Sequence, residues 1–382
     1  MVVAAATALV MSACHGGSAG HVTALSGPSP LTVLKQGGGG GDIFLTAQGK
    51  GYTGGPEILT KAGKVVWFHG VPSGQFAADF RTQTYMGHPV LTFFQGQGLD
   101  GTDYIYNADY QQIATVRAGN GYLTDFHEFL ITPWNTALIL ADTLTTANLT
   151  SIGGPADQKV FNGIVQEIAI NTGKVMFQWD SADHVPYGDS HQPRPSSAAT
   201  PWDWFHINAV HLDTEGDLLV SSRYTWTTYE LSRRTGQILW QLGGRSSSFK
   251  LTAGPGQALD RAGEIFAFQH DPEAIGNGMY TFFDDGSDGH TTLVARSRVV
   301  TVDVDPTSKV ATLVKSVDQP EGRVATAFGN AQTTPTGNLF VDWGELGYIS
   351  EFSPTGQLLF NARLPAGVST YRAYLLPWRQ AT

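Results

Sequence analysis

The chain has 382 residues, 41% hydrophobic and only 15% charged, which suits a chain that folds around a core and excludes a disordered one. Its formal net charge of −10 argues against nucleic acid as a partner, because a basic face supplies most of that affinity. Abundant glycine (45 residues) and 11% aromatics suit many short strands joined by tight turns.

Val2 to Ala13 (VVAAATALVMSA) is a short apolar run that ends in small residues, followed by Cys14 and polar HGGSAG. The pattern resembles a bacterial lipoprotein signal, in which the cysteine is lipidated after cleavage, although no Lys or Arg precedes the run. The run is too short to span a bilayer. Residues 1–14 are therefore expected to be an export signal. The protein is expected outside the cytoplasm, with a possible membrane tether through Cys14. As the single cysteine, Cys14 permits no intramolecular disulfide. The run Gly37 to Gly41 reads as a flexible joint, so 15–41 is expected to be a linker and 42–382 the folded domain.

From Asp42 onward the sequence repeats one unit: an apolar strand, a turn containing Gly, and another apolar strand. One kind of hairpin carries the turns of KAGKVVWF (61–68), NTGKVMFQW (171–179), RTGQILWQL (234–242) and PTGQLLFNA (354–362). The other reads EFLITPWNTALILA (128–141), INAVHLDTEGDLLVSS (207–222), PEAIGNGMYTFFDD (272–285) and AQTTPTGNLFVDW (331–343). Two hairpins in series make a four-stranded antiparallel sheet. About six such sheets predict an all-β fold, a six-bladed β-propeller. The units from DIFLT through YQQIATV fit this pattern less cleanly.

A propeller lines its central channel with the first strand of each blade, all pointing the same way. Equal sequence register then becomes spatial convergence. His127, His206, His270 and Asn330 begin successive inner hairpins, each about one blade further along. Arg223 falls opposite His206 across its hairpin. The three histidines and Arg223 are thus expected at one mouth of the channel. A single histidine in a strand would read as a satisfied core residue; three in register with an arginine point to a site. Asp142, Asp284 and Asp342 at the hairpin exits are candidate acceptors that orient the imidazoles. The other histidines, His211 among them, share no register and read as surface or loop residues.

Three imidazoles could hold a transition metal, but a fixed guanidinium beside a dication is repulsive, so no metal is expected. Imidazoles with an arginine suit a group carrying spread negative charge, such as a phosphate or sulfate ester. Neither a Walker-type loop nor a G-x-S-x-G elbow is present, and Cys14 lies in the leader, which leaves a histidine as the candidate nucleophile.

The pieces DFHEFLIT, DWFHINAV, GDLLVSSRYTWTTYEL, FAFQHDPEA and GNLFVDWGELGYISEF resemble the arylsulfotransferase family, the aryl-sulfate sulfotransferases that do not use 3′-phosphoadenylyl sulfate. The resemblance runs from about Asp42 to Trp378. It implies a six-bladed propeller with no cofactor and a histidine nucleophile in its channel. Position by position, His270 of FQHDPEA resembles the nucleophile. His206 of DWFHIN, Arg223 of SSRYT and His127 of DFHEF resemble the residues that hold the sulfuryl oxygens and assist proton transfer. The implied partners are small molecules, an aryl sulfate donor and a phenol acceptor. The better-known bacterial members carry an extra N-terminal sandwich domain and a disulfide; this chain resembles a shorter, single-propeller branch.

Two long insertions, 180–202 and 243–264, enter strands at the histidine end and are expected to rise around the site. Their aromatics Tyr187, Trp202, Trp204 and Phe249 are candidates to stack on a phenolic ring, with Asn330 as a further substrate contact; packing under the loops explains Trp204 equally well. Two rival classes remain open on residues alone: a propeller that only binds a ligand or protein, and a quinone-cofactor dehydrogenase propeller, for which no convincing set of acidic metal ligands is present.

Overall fold

A strand buried on both faces needs apolar side chains at consecutive positions, and Leu218-Leu219-Val220 shows the result. Leu218 and Val220 pack toward Leu138 and Val165 of the preceding sheet, and Leu219 packs toward Phe266 and Phe282 of the following one. Each such side chain contributes about 1.5–3 kcal/mol by leaving water. The core of this fold is therefore a set of apolar layers between neighbouring sheets.

The computed structural model describes residues 27–98 and 100–378. Its first strand is β1 (Thr32–Lys35), followed by β2 (Asp42–Gly49), β3 (Gly55–Thr60) and β4 (Val65–Phe68) of blade 1. Blade 2 is β5 (Phe76–Tyr85), β6 (His88–Gln97), β7 (Asp100–Tyr106) and β8 (Gln112–Val116). Blade 3 is β9 (Leu123–Ile131), β10 (Thr136–Ala147), β11 (Gln158–Ala169) and β12 (Lys174–Asp180). A short helix α1 (Ser181–His184) and β13 (Trp202–Asp203), which pairs parallel with β11, follow it. Blade 4 is β14 (Ile207–Leu212), β15 (Leu218–Ser222), β16 (Thr227–Leu231) and β17 (Ile238–Leu242). Blade 5 begins at its outer edge with β18 (Lys250–Ala253), then runs outward from the channel through β19 (His270–Gly276), β20 (Met279–Asp284), β21 (Arg298–Asp305) and β22 (Val310–Asp318). Blade 6 is β23 (Asn330–Thr333), β24 (Leu339–Asp342), β25 (Tyr348–Phe352) and β26 (Leu358–Arg363). Last come β27 (Val368–Ser369) and β28 (Ala373–Leu376), both paired with β2. The six antiparallel sheets form the expected six-bladed β-propeller.

The ring closes at both chain ends. β28 supplies the inner strand of blade 1, and β1 adds an outer fifth strand to blade 6 by pairing with β26. This explains why the first unit of the repeat fits poorly in sequence: one of its four strands comes from residues 373–376. It also corrects the expected linker at 15–41. Within it, Thr32–Lys35 is a sheet strand, and the glycine run is a fastened crossing between blades 6 and 1. Lys61 donates to Gly37 O at 2.5 Å, Gly39 O at 3.0 Å and Glu351 Oε2 at 2.5 Å; Gly39 N–H donates to Glu351 Oε1 at 2.7 Å. Glycine is required there by contact. A Cβ on Gly38, whose φ is +80°, would lie 2.0 Å from Glu351 Oε2. Gly38→Ala is expected to cost about 1–3 kcal/mol in urea unfolding, through the left-handed backbone and the displaced ion pair. Gly40→Ala, with nothing within 4 Å of its Cβ position, should be close to neutral. Equal midpoints for the two would mean that the crossing is not fastened.

The inner edges of neighbouring blades are zipped by side chains that bond to the next blade's backbone, which satisfies groups a sheet edge leaves open. Asp79 accepts from Phe129 N–H at 3.1 Å, and Asn208 donates to Gln269 O at 2.7 Å. Asp271 accepts from Ala331 N–H at 2.9 Å, and Gln332 accepts from Leu375 N–H at 2.8 Å.

Candidate active site

Inner strands β5, β9, β14, β19, β23 and β28 neighbour one another in turn around the channel. At the end where β14, β19 and β23 begin, the expected convergence is present. Arg223 N–H donates to His206 O at 3.0 Å, so the two residues are opposite each other as the hairpin register requires. The rings of His127 and His206 meet edge to face with centroids 5.3 Å apart. Asp285 joins the remaining pair: its Oδ2 is 2.7 Å from His270 Nδ1 and 3.5 Å from Arg223 Nη1.

Each imidazole is held from behind by a carboxylate on Nδ1. His127 Nδ1 is 2.7 Å from Asp125 Oδ1, and His206 Nδ1 is 2.5 Å from Asp203 Oδ2. With Nδ1 committed in all three rings, Nε2 is the nitrogen left for chemistry. The orienting carboxylates differ from those expected. Asp284 instead accepts from Arg298 Nε at 2.9 Å, and Asp342 is buried without a hydrogen-bond partner among the described residues. Asp142 reaches His127 only through Asp125; burial and the charges of Asp125 and Asp203 hold its carboxyl well above the ordinary range. The signal for the true acceptors was the short spacing D-x-H (125–127) and D-x-x-H (203–206), and the second aspartate of Asp284-Asp285.

Burial lowers His270 well below the ordinary imidazole value, and the charges of Arg223, His127 and His206 add to this. The imidazole is thus uncharged at neutral pH. Burial also lowers His127, against the pull of Asp125. Arg223 is placed differently from a free clamp. Its Nη1 donates to Phe268 O at 2.8 Å, and its Nη2 to Ser287 O at 3.3 Å and Thr326 O at 2.5 Å. It fastens three loops and acts on the site as a fixed positive charge.

The four other candidates lie elsewhere. Asn330 belongs to the zipper between blades, its Oδ1 accepting from Ala373 N–H at 3.0 Å. Tyr187 packs on Trp204 at 4.6 Å in the layer between blades 3 and 4, together with buried Trp202. Phe249 packs edge-on to Trp240 at 5.7 Å between blades 4 and 5. These are large apolar side chains under long loops, and burial took them inward. Cys14 lies outside the described residues.

Aromatic side chains not singled out in the sequence line the mouth instead. Phe126 stacks on His127 at 3.9 Å, Tyr224 meets His206 at 5.0 Å, and Tyr371 touches Phe126, His127 and Phe328. Phe268 lies under the Arg223 guanidinium at 5.3 Å. His206, Trp226, Phe268, Asp271 and Phe328 all have positive φ, between +52° and +71°. For bulky side chains that backbone is strained, and such strain collects where a structure over-determines a site.

Beneath the imidazoles lies a buried ionic floor. Arg372 Nη1 is 2.9 Å from Glu128 Oε2, 3.5 Å from Asp79 and 3.7 Å from Asp271. Arg81 pairs with Asp79 at 3.1 Å and also with Glu128. His211, expected at the surface, is 2.9 Å from Glu128 and 3.5 Å from Asp271. Burial opposes its charge, but Glu128, Asp271 and Glu273 outweigh that and raise His211 above its ordinary value. Arg372, Arg81 and His211 therefore face Glu128, Asp79 and Asp271. Among the described residues, no His, Cys, Asp and Glu side chains are grouped as a metal ion would require.

Fold and site together define a propeller whose channel mouth presents carboxylate-anchored imidazoles, within an aromatic collar and above a closed polar floor. A family model described as arylsulfotransferase (ASST) matches residues 81–364, and the chain belongs to that family. No curated protein matches the chain. Among solved structures, a protein of unknown function from Bacteroides caccae is 12% identical at a TM-score of 0.50, covering 87% of this chain and 98% of that one. The periplasmic gluconolactonase PpgL of Pseudomonas aeruginosa is 11% identical at 0.43, covering 88% and 99%. At these identities the likeness is one of fold alone.

Proposed function

We propose that the protein transfers a sulfuryl group from an aryl sulfate to a phenol through a sulfo-histidine on His270, without 3′-phosphoadenylyl sulfate. The observation that carries this reading is the buried His270, its Nδ1 on Asp285 and its Nε2 left for chemistry, beside two further anchored imidazoles in an arylsulfotransferase chain.

In the first half-reaction His270 Nε2 bonds to sulfur as the sulfur–oxygen bond to the aryl group breaks. The positive charge that develops on the imidazole is offset by Asp285. The departing phenolate takes the Nε2 proton of His206, the most exposed of the three imidazoles, which enters this step as the imidazolium and keeps its Nδ1–H on Asp203. In the second half, that nitrogen takes the proton of the incoming phenol, whose oxygen displaces His270 from sulfur. As in phosphoryl transfer, most of the catalysis is positioning and charge stabilisation. Arg223 and Arg372 supply fixed positive charge, and Phe126, Tyr224, Phe268 and Phe328 hold the ring.

The test is incubation with p-nitrophenyl sulfate, followed by intact and peptide mass measurement. One added sulfuryl group on His270, discharged by added phenol, is the expected result. Nitrophenol release without any labelled histidine overturns the covalent route, and absence of both release and label leaves a propeller that only binds. The apolar run before Cys14 supports an exported site of action, where aryl sulfates from outside the cell are met directly.

A further inference from the structure

Beside the mouth, on the rim of blade 5, lies a cavity of about 550 Å³, within the range of small-molecule sites. It opens at the same end of the blade as His270, since Asp284, Arg298 and Asp318 are register partners across that end. Leu293 links the two: it lines the cavity and packs on the buried cluster of Trp226, Ala267 and Phe268, of which Phe268 lies under the Arg223 guanidinium.

The lining combines an apolar base with guanidinium groups of unequal freedom. Arg298 is fully engaged, with Asp284 at 2.9 Å, Ala258 O at 3.1 Å and Ile265 O at 3.0 Å. Arg296 is only loosely paired, 3.7 Å from an Asp318 that is itself half exposed. Arg261 lines the cavity and forms no ion pair among the described residues. Asp260 also lines the cavity, with its Oδ1 engaged by its own loop, accepting from Ala262 N–H at 2.8 Å and Glu264 N–H at 2.9 Å. Its Oδ2 is buried without a donor. Burial raises Asp260 above its ordinary value. What the cavity lacks is an anion for Arg261 and an apolar body to cover the base.

We propose that this cavity is an acceptor subsite for the tail of a phenolic acid: the phenol faces His270, the linking carbons cover Leu293, and the tail carboxylate meets Arg261 and Arg296. The assignment rests on the sulfuryl-transfer reading and adds to it a preference among acceptors. A charge-assisted bond in a partly enclosed site is worth about tenfold in affinity.

The experiment compares phenol, 4-hydroxyphenylpropionate and its neutral amide as acceptors with p-nitrophenyl sulfate as donor, in wild type and Arg261→Ala. The acid is expected to exceed the amide in kcat/KM about tenfold in wild type, and Arg261→Ala to erase that ratio while leaving phenol unchanged. Acid and amide used equally by wild type, or a ratio that survives Arg261→Ala, overturns the subsite. Calorimetric titration of the acid into His270→Asn keeps the two readings apart. Binding that is lost on adding Arg261→Ala supports the cavity even if no acceptor is sulfated, whereas no binding there overturns it whatever the activity.

Discussion

Replacing His270 by Asn is expected to leave the propeller folded and to abolish sulfuryl labelling, with nitrophenol release down at least about 10³-fold. The amide is smaller than the imidazole and keeps a polar contact for Asp285, so the loss would report the missing Nε2 lone pair. A label that persists on another histidine would move the nucleophile to His127 or His206. The pH dependence separates these further. The reactive form is the uncharged imidazole, and burial with Arg223 nearby holds His270 well below 6.5. Labelling should therefore keep its rate as the pH falls through 6.5 and decline only in more acidic solution. A rate that halves near 6.5 would identify an ordinary, solvated imidazole instead.

The second large effect concerns stability. Arg372→Met is expected to cost about 3–5 kcal/mol in urea unfolding, because buried Glu128 and Asp271 lose the guanidinium they share and keep only Arg81 and His211. Arg372→Lys keeps the charge but loses the fork that also reaches the Tyr374 hydroxyl at 3.3 Å, and should fall between. An Arg372→Met protein as stable as wild type would show that the floor is not what joins the blades. The floor also sits next to the imidazoles along the chain: Glu128 follows His127, and Asp271 follows His270. A loosened floor should then lower turnover even under conditions where the protein stays folded.

Much of this was legible in the sequence, for a specific reason. Strands repeat with a fixed period, so the placement of His127, His206 and His270 relative to their turns was enough to predict that they meet. Arg223 was placed opposite His206 by the same counting. Side-chain direction is not periodic in that way. Whether Arg223 faces a substrate or three loop carbonyls depends on Phe268, Ser287 and Thr326, which lie far away in sequence. The same holds for His211, whose neighbours Glu128 and Asp271 come from two other blades. Tyr187, Trp202 and Phe249 were aromatic residues in the right loops, yet the layers between blades claimed them. The glycine run misled because permissive backbone and tight contact demand the same residue.

The closure of the ring by β28 fixes an order of events. Arg372, Tyr371 and the inner strand of blade 1 come late in the sequence, after every histidine of the mouth has been made. Until those residues arrive, Glu128 and Asp271 lack Arg372 and keep only Arg81 and His211 as partners, and the imidazoles stand over an incomplete floor. A nascent or clipped chain should thus carry His270 without its surroundings, and sulfuryl labelling becomes a report that the whole ring has been completed.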